Sequence, residues 1–290
     1  MNPRRPSPAA LLFAAALATS GCLRHEPGES GELRVATLAP NLTEIVFAID
    51  GAPLLCGRTD VCDFPPEVAE VPIVGHFGAA FPEALAATRA TLLLSTEYAD
   101  PAMHEAVARL GIREECIPCQ RLADIPPAVL RIGGLLGRTA QAEALAARLA
   151  AGIEEGHERA ARIPDDQKPL VFLEMWDSPM MTPGKQSFLS EMVALAGGRN
   201  LGDELAGDGY VTLSPEWVVG RDPDVIVCLY GGDDASARER VASRVGWKDV
   251  RAVKDGRVYA DFDTDAVCRP GPRVLEGARE LERLLDNTRY

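Results

Sequence analysis

The chain is poor in the residues that metal or nucleophilic catalysis would use. It has only four histidines, and two of them, His25 and His157, fall in a polar N-terminal stretch and in a long helical segment. Zinc would want three or four converging ligands, and Cys62 with His76 is the one pairing that begins a set. No GxSxG, glycine-rich phosphate loop or HExxH occurs. GGLLG at residues 133–137 fits a helix and turn. Positive charge is short as well, 30 Lys+Arg against 43 Asp+Glu, for a formal net charge of -13. That balance argues against a nucleic acid or an anionic lipid surface as partner. The apolar run LLFAAALA at 11–18 is too short to span a membrane. These absences leave no catalytic constellation, so no enzyme activity, metal or cofactor is expected.

The N-terminus carries more information. Arg4 and Arg5 precede the short apolar run and the small residues TSGC, the order of a secretory signal. Gly21–Cys22 resembles a bacterial lipoprotein cleavage box. That resemblance implies a signal peptide over 1–21, with Cys22 becoming the lipidated first residue. Acyl chains anchor by about 0.8 kcal/mol per buried methylene. Residues 22–32 are polar and read as a tether. The expectation is a membrane-anchored lipoprotein of the periplasm or cell envelope. In such an oxidising compartment the other six cysteines, Cys56, Cys62, Cys116, Cys119, Cys228 and Cys268, are expected to form disulfides, with the pairing open.

The remaining chain is long enough for one large or two modest domains. Apolar strand patterns at 34–38, 54–57, 91–95 and 112–118 alternate with helical ones, which implies parallel pairing with right-handed crossovers. Residues 139–163 form an Ala-rich stretch with Ala142, Leu145, Ala146, Leu149 and Ile153 at helical spacing. A helix of roughly 25 residues reaches nearly 40 Å, more than one lobe needs. Strand patterns then resume at 170–174, 224–229 and 257–260. The predicted fold is α/β: two three-layer α/β/α lobes with mainly parallel sheets (33–138 and 165–290), joined by one long helix (139–164). A ligand cleft is expected between the lobes, at the carboxyl ends of the strands. A single long connecting helix predicts modest hinge motion rather than wide closure.

Eight segments occur in a telling order: TLAPNLTEIVFAI, GRTDVCDFPPEV, VGHFG, PEALAATRATLLL, LGI, EMVALAGGRNL, SPEWVVGRDPDVIV and CRPGPRVLEGARELERLL. Together they resemble the helical-hinge class of ABC-importer substrate-binding proteins, which capture cobalamin, haem or ferric siderophores. CDFPPEV and RPGPRVLEG look most like the cobalamin-binding branch. The resemblance implies that Phe64, Phe77 and Tyr210 lie on the faces of a corrin ring. Asp265 and Arg269 would reach its amide fringe, and Met180 and Met181 would face it from the second lobe. Aromatic faces and a few polar groups suit such a disc. Val61 and Ala266 stand where aromatics can occur in that branch. Glu83 and Glu216, each in the first turn of a helix where acidic residues also favour the helix dipole, are implied to dock onto permease arginines.

The implied role is capture of a corrinoid small molecule and its delivery to ABC-transporter permease subunits. The chain would act as a monomer, with no nucleic acid partner and with membrane contact through the lipid only. One alternative is the same fold binding haem, with Tyr98, Tyr210 or His76 on the iron, or a ferric siderophore in a basic cleft. Asp60, Asp63, Asp261, Asp263 and Asp265 disfavour a polyanion. A more distant alternative is a thiol oxidoreductase using Cys116 and Cys119, although that CxxC lies at a strand end rather than at a helix start.

Overall fold

The computed structural model describes residues 32–97, 101–207 and 209–286, so Cys22, His25 and Tyr98 lie outside the described residues. Strands and helices alternate from the start: β1 (Val35–Thr37), α1 (Pro40–Ala48), β2 (Leu55–Thr59), β3 (Ile73–His76), β4 (Ala79–Ala80), α2 (Pro82–Ala87), β5 (Leu92–Ser95), α3 (Pro101–Arg109), β6 (Arg113–Cys116) and α4 (Ile125–Leu136). These strands form one sheet in the order β4-β3-β2-β1-β5-β6. All its pairings are parallel except that of the short β4 with β3. α1 starts with a proline at its first position, where no intrahelical N–H is lost. Inside the helix the Thr43 hydroxyl donates back to the Ala39 carbonyl at 3.1 Å.

α5 (Thr139–Ala161) leads into the second lobe. There follow β7 (Leu170–Glu174), β8 (Trp176–Asp177), β9 (Met180–Pro183), α6 (Phe188–Leu195), β10 (Arg199–Asn200), β11 (Tyr210–Thr212), α7 (Pro215–Arg221) and β12 (Val225–Cys228). α8 (Asp234–Ala242), α9 (Arg251–Lys254), β13 (Val258–Tyr259), α10 (Thr264–Cys268) and α11 (Val274–Leu285) complete it. The main sheet is parallel in the order β10-β7-β12-β13, and a small antiparallel sheet runs β11-β9-β8. The residues of β8, β9, α8 and α10 have no clear sequence period, and the pattern alone assigns most of them to loops.

Alternate strand residues feed different cores, which establishes the layers. Val35, Leu92 and Leu94 enter one large cluster, while Ala36 and Leu93 enter a second with Leu85, Met103 and Val107. In the other lobe Val171, Leu173, Val225 and Val227 join the same large cluster. Phe172 and Ile226 turn instead to a third, built around Trp247. The inner helices of both lobes therefore share one apolar core. α5 lies along it, burying Ala142, Leu145, Ala146, Leu149 and Ile153, the face its spacing predicts. A fully buried Leu or Ile contributes roughly 1.5–3 kcal/mol, so separating the lobes along this seam would expose a large apolar area.

The α4–α5 crossing is close because Gly133 lacks a side chain: a methyl there would collide with the Ala142 methyl. Gly133→Ala is expected to lower stability by about 1–3 kcal/mol through overpacking. Adding Ala142→Gly should recover part of that loss. Denaturant midpoints of the single and double variants measure both effects.

Candidate functional site

Parallel strands place their carboxyl ends, and the amino ends of the helices that follow, on one rim of each lobe. The two rims enclose a cleft of ≈ 890 Å³. Pro40 and Asn41 at the start of α1, Glu97 after β5 and Arg121 after β6 line it from the first lobe. Ser187 and Phe188 at the start of α6, together with Tyr210 and Arg269, line it from the second. Ser187 caps α6 by accepting from the Ser190 N–H at 3.1 Å.

A network of charges ties the lobes together beside this cleft. The Glu44 carboxylate in α1 is 1 % exposed and receives Arg273 Nε and Nη2, both at 2.9 Å, and Arg269 Nη1 at 3.1 Å. Arg269 also binds Asp63 at 2.6 Å and Asp265 at 2.9 Å, while Arg273 binds Asp263 at 2.9 Å. The Arg273 guanidinium lies 4.1 Å from the centre of the Phe64 ring, a cation–π contact. Elsewhere on the rim Arg121 pairs with Glu191 of α6, which also accepts the Leu122 N–H at 2.7 Å. Asn41 Nδ2 and Cys119 Sγ both donate to the Pro270 carbonyl, at 3.2 and 3.3 Å.

The pKa directions follow this wiring. The Arg269 hydrogen bond holds Asp63 below the usual carboxylate range. Burial opposes the charge on Arg269, but its hydrogen bonds to Asp63 and Glu44 outweigh that and raise its pKa. Asp265 moves up instead, because burial outweighs Arg269.

The sequence-predicted site residues separate into two groups. Phe77 and Tyr210 line the cleft from opposite lobes, 50 % and 55 % exposed, and Arg269 lines it too. Phe64 and Asp265 lie in the adjoining charge network and not on the cleft wall. Met180 is buried in the Trp247 core and Met181 is half-buried; neither lines the cleft. The alternation of β9, which sends neighbouring residues to opposite faces, sets Met180 inward. Val61 is exposed and Ala266 buried. His76 pairs with Asp60 at 2.6 Å and packs edge-on against Phe81, away from the cleft wall. Glu83 and Glu216 are exposed in the first turns of α2 and α7, and neither forms an ion pair with a described residue.

The disulfide expectation is corrected. Cys56, Cys62, Cys116, Cys119, Cys228 and Cys268 are all free thiols. Cys56, Cys119 and Cys228 belong to three different apolar clusters, which keeps them apart. Cys62 is buried, bonded to the Thr43 and Thr59 hydroxyls at 3.1 and 3.0 Å. Burial pushes Cys119 up to about 12 and raises Cys116 as well, the opposite of what a reactive thiol needs. Among the described residues no group of three or more His, Cys, Asp or Glu side chains converges on a metal site.

Sequence reasoning passed over Glu44, Arg273, Arg121 and Glu97. For Glu44 a signal existed, a charged residue inside the apolar run of α1. Its partner 229 positions away left none.

Residues 35–263 match the family described as Periplasmic binding protein. YvrC of Bacillus subtilis, described as an uncharacterized ABC transporter substrate-binding lipoprotein, is 30% identical over 253 residues, covering 86% of this chain and 78% of YvrC. The vitamin B12-binding protein of Pectobacterium atrosepticum is 25% identical over 255 residues, 86% of each chain. A solved periplasmic heme binding protein from Pseudomonas aeruginosa has a TM-score of 0.77 at 24% identity, covering 88% of this chain and 93% of that one. With two lobes, a cleft at the strand ends and a family match over most of its length, the chain belongs to the periplasmic binding protein family.

Proposed function

We propose that this substrate-binding protein captures cobalamin or a related corrinoid in the cleft and hands it to an ABC-transporter permease, doing no chemistry on it. The observation that carries the reading is the pair Phe77 and Tyr210, two half-exposed aromatics that reach one cleft from opposite lobes. Half-exposed rings at a cleft mouth suit the apolar faces of a disc-shaped ligand. The ≈ 890 Å³ volume lies within the range of about 300–1,000 Å³ usual for small-molecule sites. Both arginines on the wall are already ion-paired to protein carboxylates, which suits a ligand fringed with neutral amides better than an anionic siderophore. The sequence likeness to the vitamin B12-binding protein of Pectobacterium atrosepticum points the same way.

Haem is the second reading, favoured by one feature, a tyrosine on the cleft wall. Tyr210 could place its phenol on an iron, as the alternative reading of the sequence requires. In the corrinoid reading Arg269 acts through its carboxylate partners, and the implied contacts of Asp265 with the amide fringe and of Met180 and Met181 with the ligand give way to those of Phe77 and Tyr210. Lipidation at Cys22 would keep the protein at the cell envelope. Glu83 and Glu216 would present one exposed carboxylate per lobe to the permease, setting encounter rate and orientation more than affinity.

Calorimetric titration with cyanocobalamin, haemin and a ferric siderophore in parallel tests the reading. One-to-one submicromolar binding of cyanocobalamin is expected, weakened roughly tenfold by Tyr210→Ala as a ring contact is lost. A Soret band with haemin that disappears in Tyr210→Phe, with no heat from cyanocobalamin, transfers the assignment to haem. For docking, Glu83→Arg and Glu216→Arg should leave cyanocobalamin affinity unchanged. Each should slow association with the reconstituted transporter by roughly tenfold at low salt, and unchanged association would remove both residues from the interface.

A further inference from the structure

Four charged side chains among the described residues line the cleft: Glu97, Arg121, Asp124 and Arg269. Three are committed within the protein. Arg121 is paired with Glu191, and Arg269 with Glu44, Asp63 and Asp265. Asp124 accepts the backbone N–H groups of Gln120 and Arg121, both at 2.9 Å. Glu97 is different. Both its carboxylate oxygens are covered from water and neither has a hydrogen-bond partner among the described residues, although the residue itself forms part of the cleft wall.

An uncompensated buried carboxylate is costly, so its presence at a ligand site calls for a partner that arrives with the ligand. Burial is the chief cause that raises Cys116 and Cys119, and Glu97 adds to it, so the carboxylate lies close to both thiols. From the other lobe, the amino end of α6 opens on the same cleft and offers positive potential. A group that both donates and accepts complements these two features. A primary amide does so. A carboxylate is acceptor-only and would be repelled by Glu97.

We propose that Glu97 is a specificity residue that accepts a hydrogen bond from a ligand amide N–H and rejects ligands carrying a carboxylate at that point. The inference rests on the corrinoid reading and deepens it, since the corrin fringe is built of primary amides. The contact requires the covered carboxylate to turn toward the cleft. Binding would then relieve the cost of the unpaired charge in the empty protein.

The test compares cyanocobalamin with its monocarboxylic acids, in which one fringe amide is hydrolysed, on the wild-type protein and on Glu97→Gln. Wild type is expected to bind cyanocobalamin at least about tenfold more tightly than one of the acid isomers, the scale of a charge-assisted hydrogen bond. Glu97→Gln should lose affinity for cyanocobalamin and bind that isomer as well as the parent compound. The ligand-free variant should also melt higher, by roughly 2–4 °C, because an uncompensated charge has been removed. If the isomer ratio is the same in both proteins, or the ligand-free variant melts lower, Glu97 has a structural role and the inference fails while the corrinoid reading stands. Silence of the wild type with cyanocobalamin overturns the reading and this inference together.

Discussion

The arrangement of the cleft depends on one buried carboxylate. Glu44 sits in the first helix of the first lobe, and its two arginines come from the far end of the chain, beside and after α10. Removing such a charge from water costs several kcal/mol, and the pair recovers that only with good geometry and a full complement of hydrogen bonds. Glu44 has both: Arg273 meets it with two nitrogens and Arg269 adds a third contact. Asp63, Asp263 and Asp265 then neutralise the outer sides of the arginines. Charges alternate from the interior to the surface, so breaking any inner member would strand its neighbours. The segment Cys268–Pro270 is thereby held against the first lobe, where Asn41 and Cys119 both bind the Pro270 carbonyl.

This wiring has a consequence for recognition. Arginines at a ligand site usually advertise an anionic ligand, because a guanidinium presents several donors in a fixed fork. Here both arginines on the wall have their charge spent on protein carboxylates. Among the described residues, the wall offers a ligand apolar ring surface from Phe77 and Tyr210, helix amino ends, the amides of Gln120 and Gln186 and the unpartnered Glu97 carboxylate. Two arginines and two carboxylates, Glu97 and Asp124, stand on the wall, and the pairing pattern of the arginines leaves the site near-neutral with an acidic spot.

That pattern explains what could and could not be read in the sequence. β7 and β12 were legible because a strand covered on both faces is a continuous apolar run, and LVFLE and VIVC have that form. α5 was legible through its spacing, down to the individual buried residues. Phe77 and Tyr210 came from resemblance, and the cleft contains both. Met180 failed because β9 shows no period in a segment rich in proline and glycine. Once that strand exists, alternation turns Met180 into the core. The disulfide expectation came from compartment chemistry, which says that bonds can form but not that any two thiols meet. The Glu44–Arg273 contact joins positions more than two hundred residues apart, and no local pattern encodes such a pair.

Shared packing also limits how the protein can use its cleft. The inner helices of both lobes contribute to one apolar cluster, and α5 runs along it. Opening the lobes widely would expose that core and break the Glu44 network together. Side chains and rim segments move at far lower cost. With closure restricted, a ligand cannot be selected by how far the lobes travel to meet it. Selection rests on what the wall already presents, so exchanging a few side chains at the strand ends can change the ligand while the fold stays the same. A scaffold of this kind is nearly uninformative about its cargo, and the chemistry of individual wall residues carries the specificity.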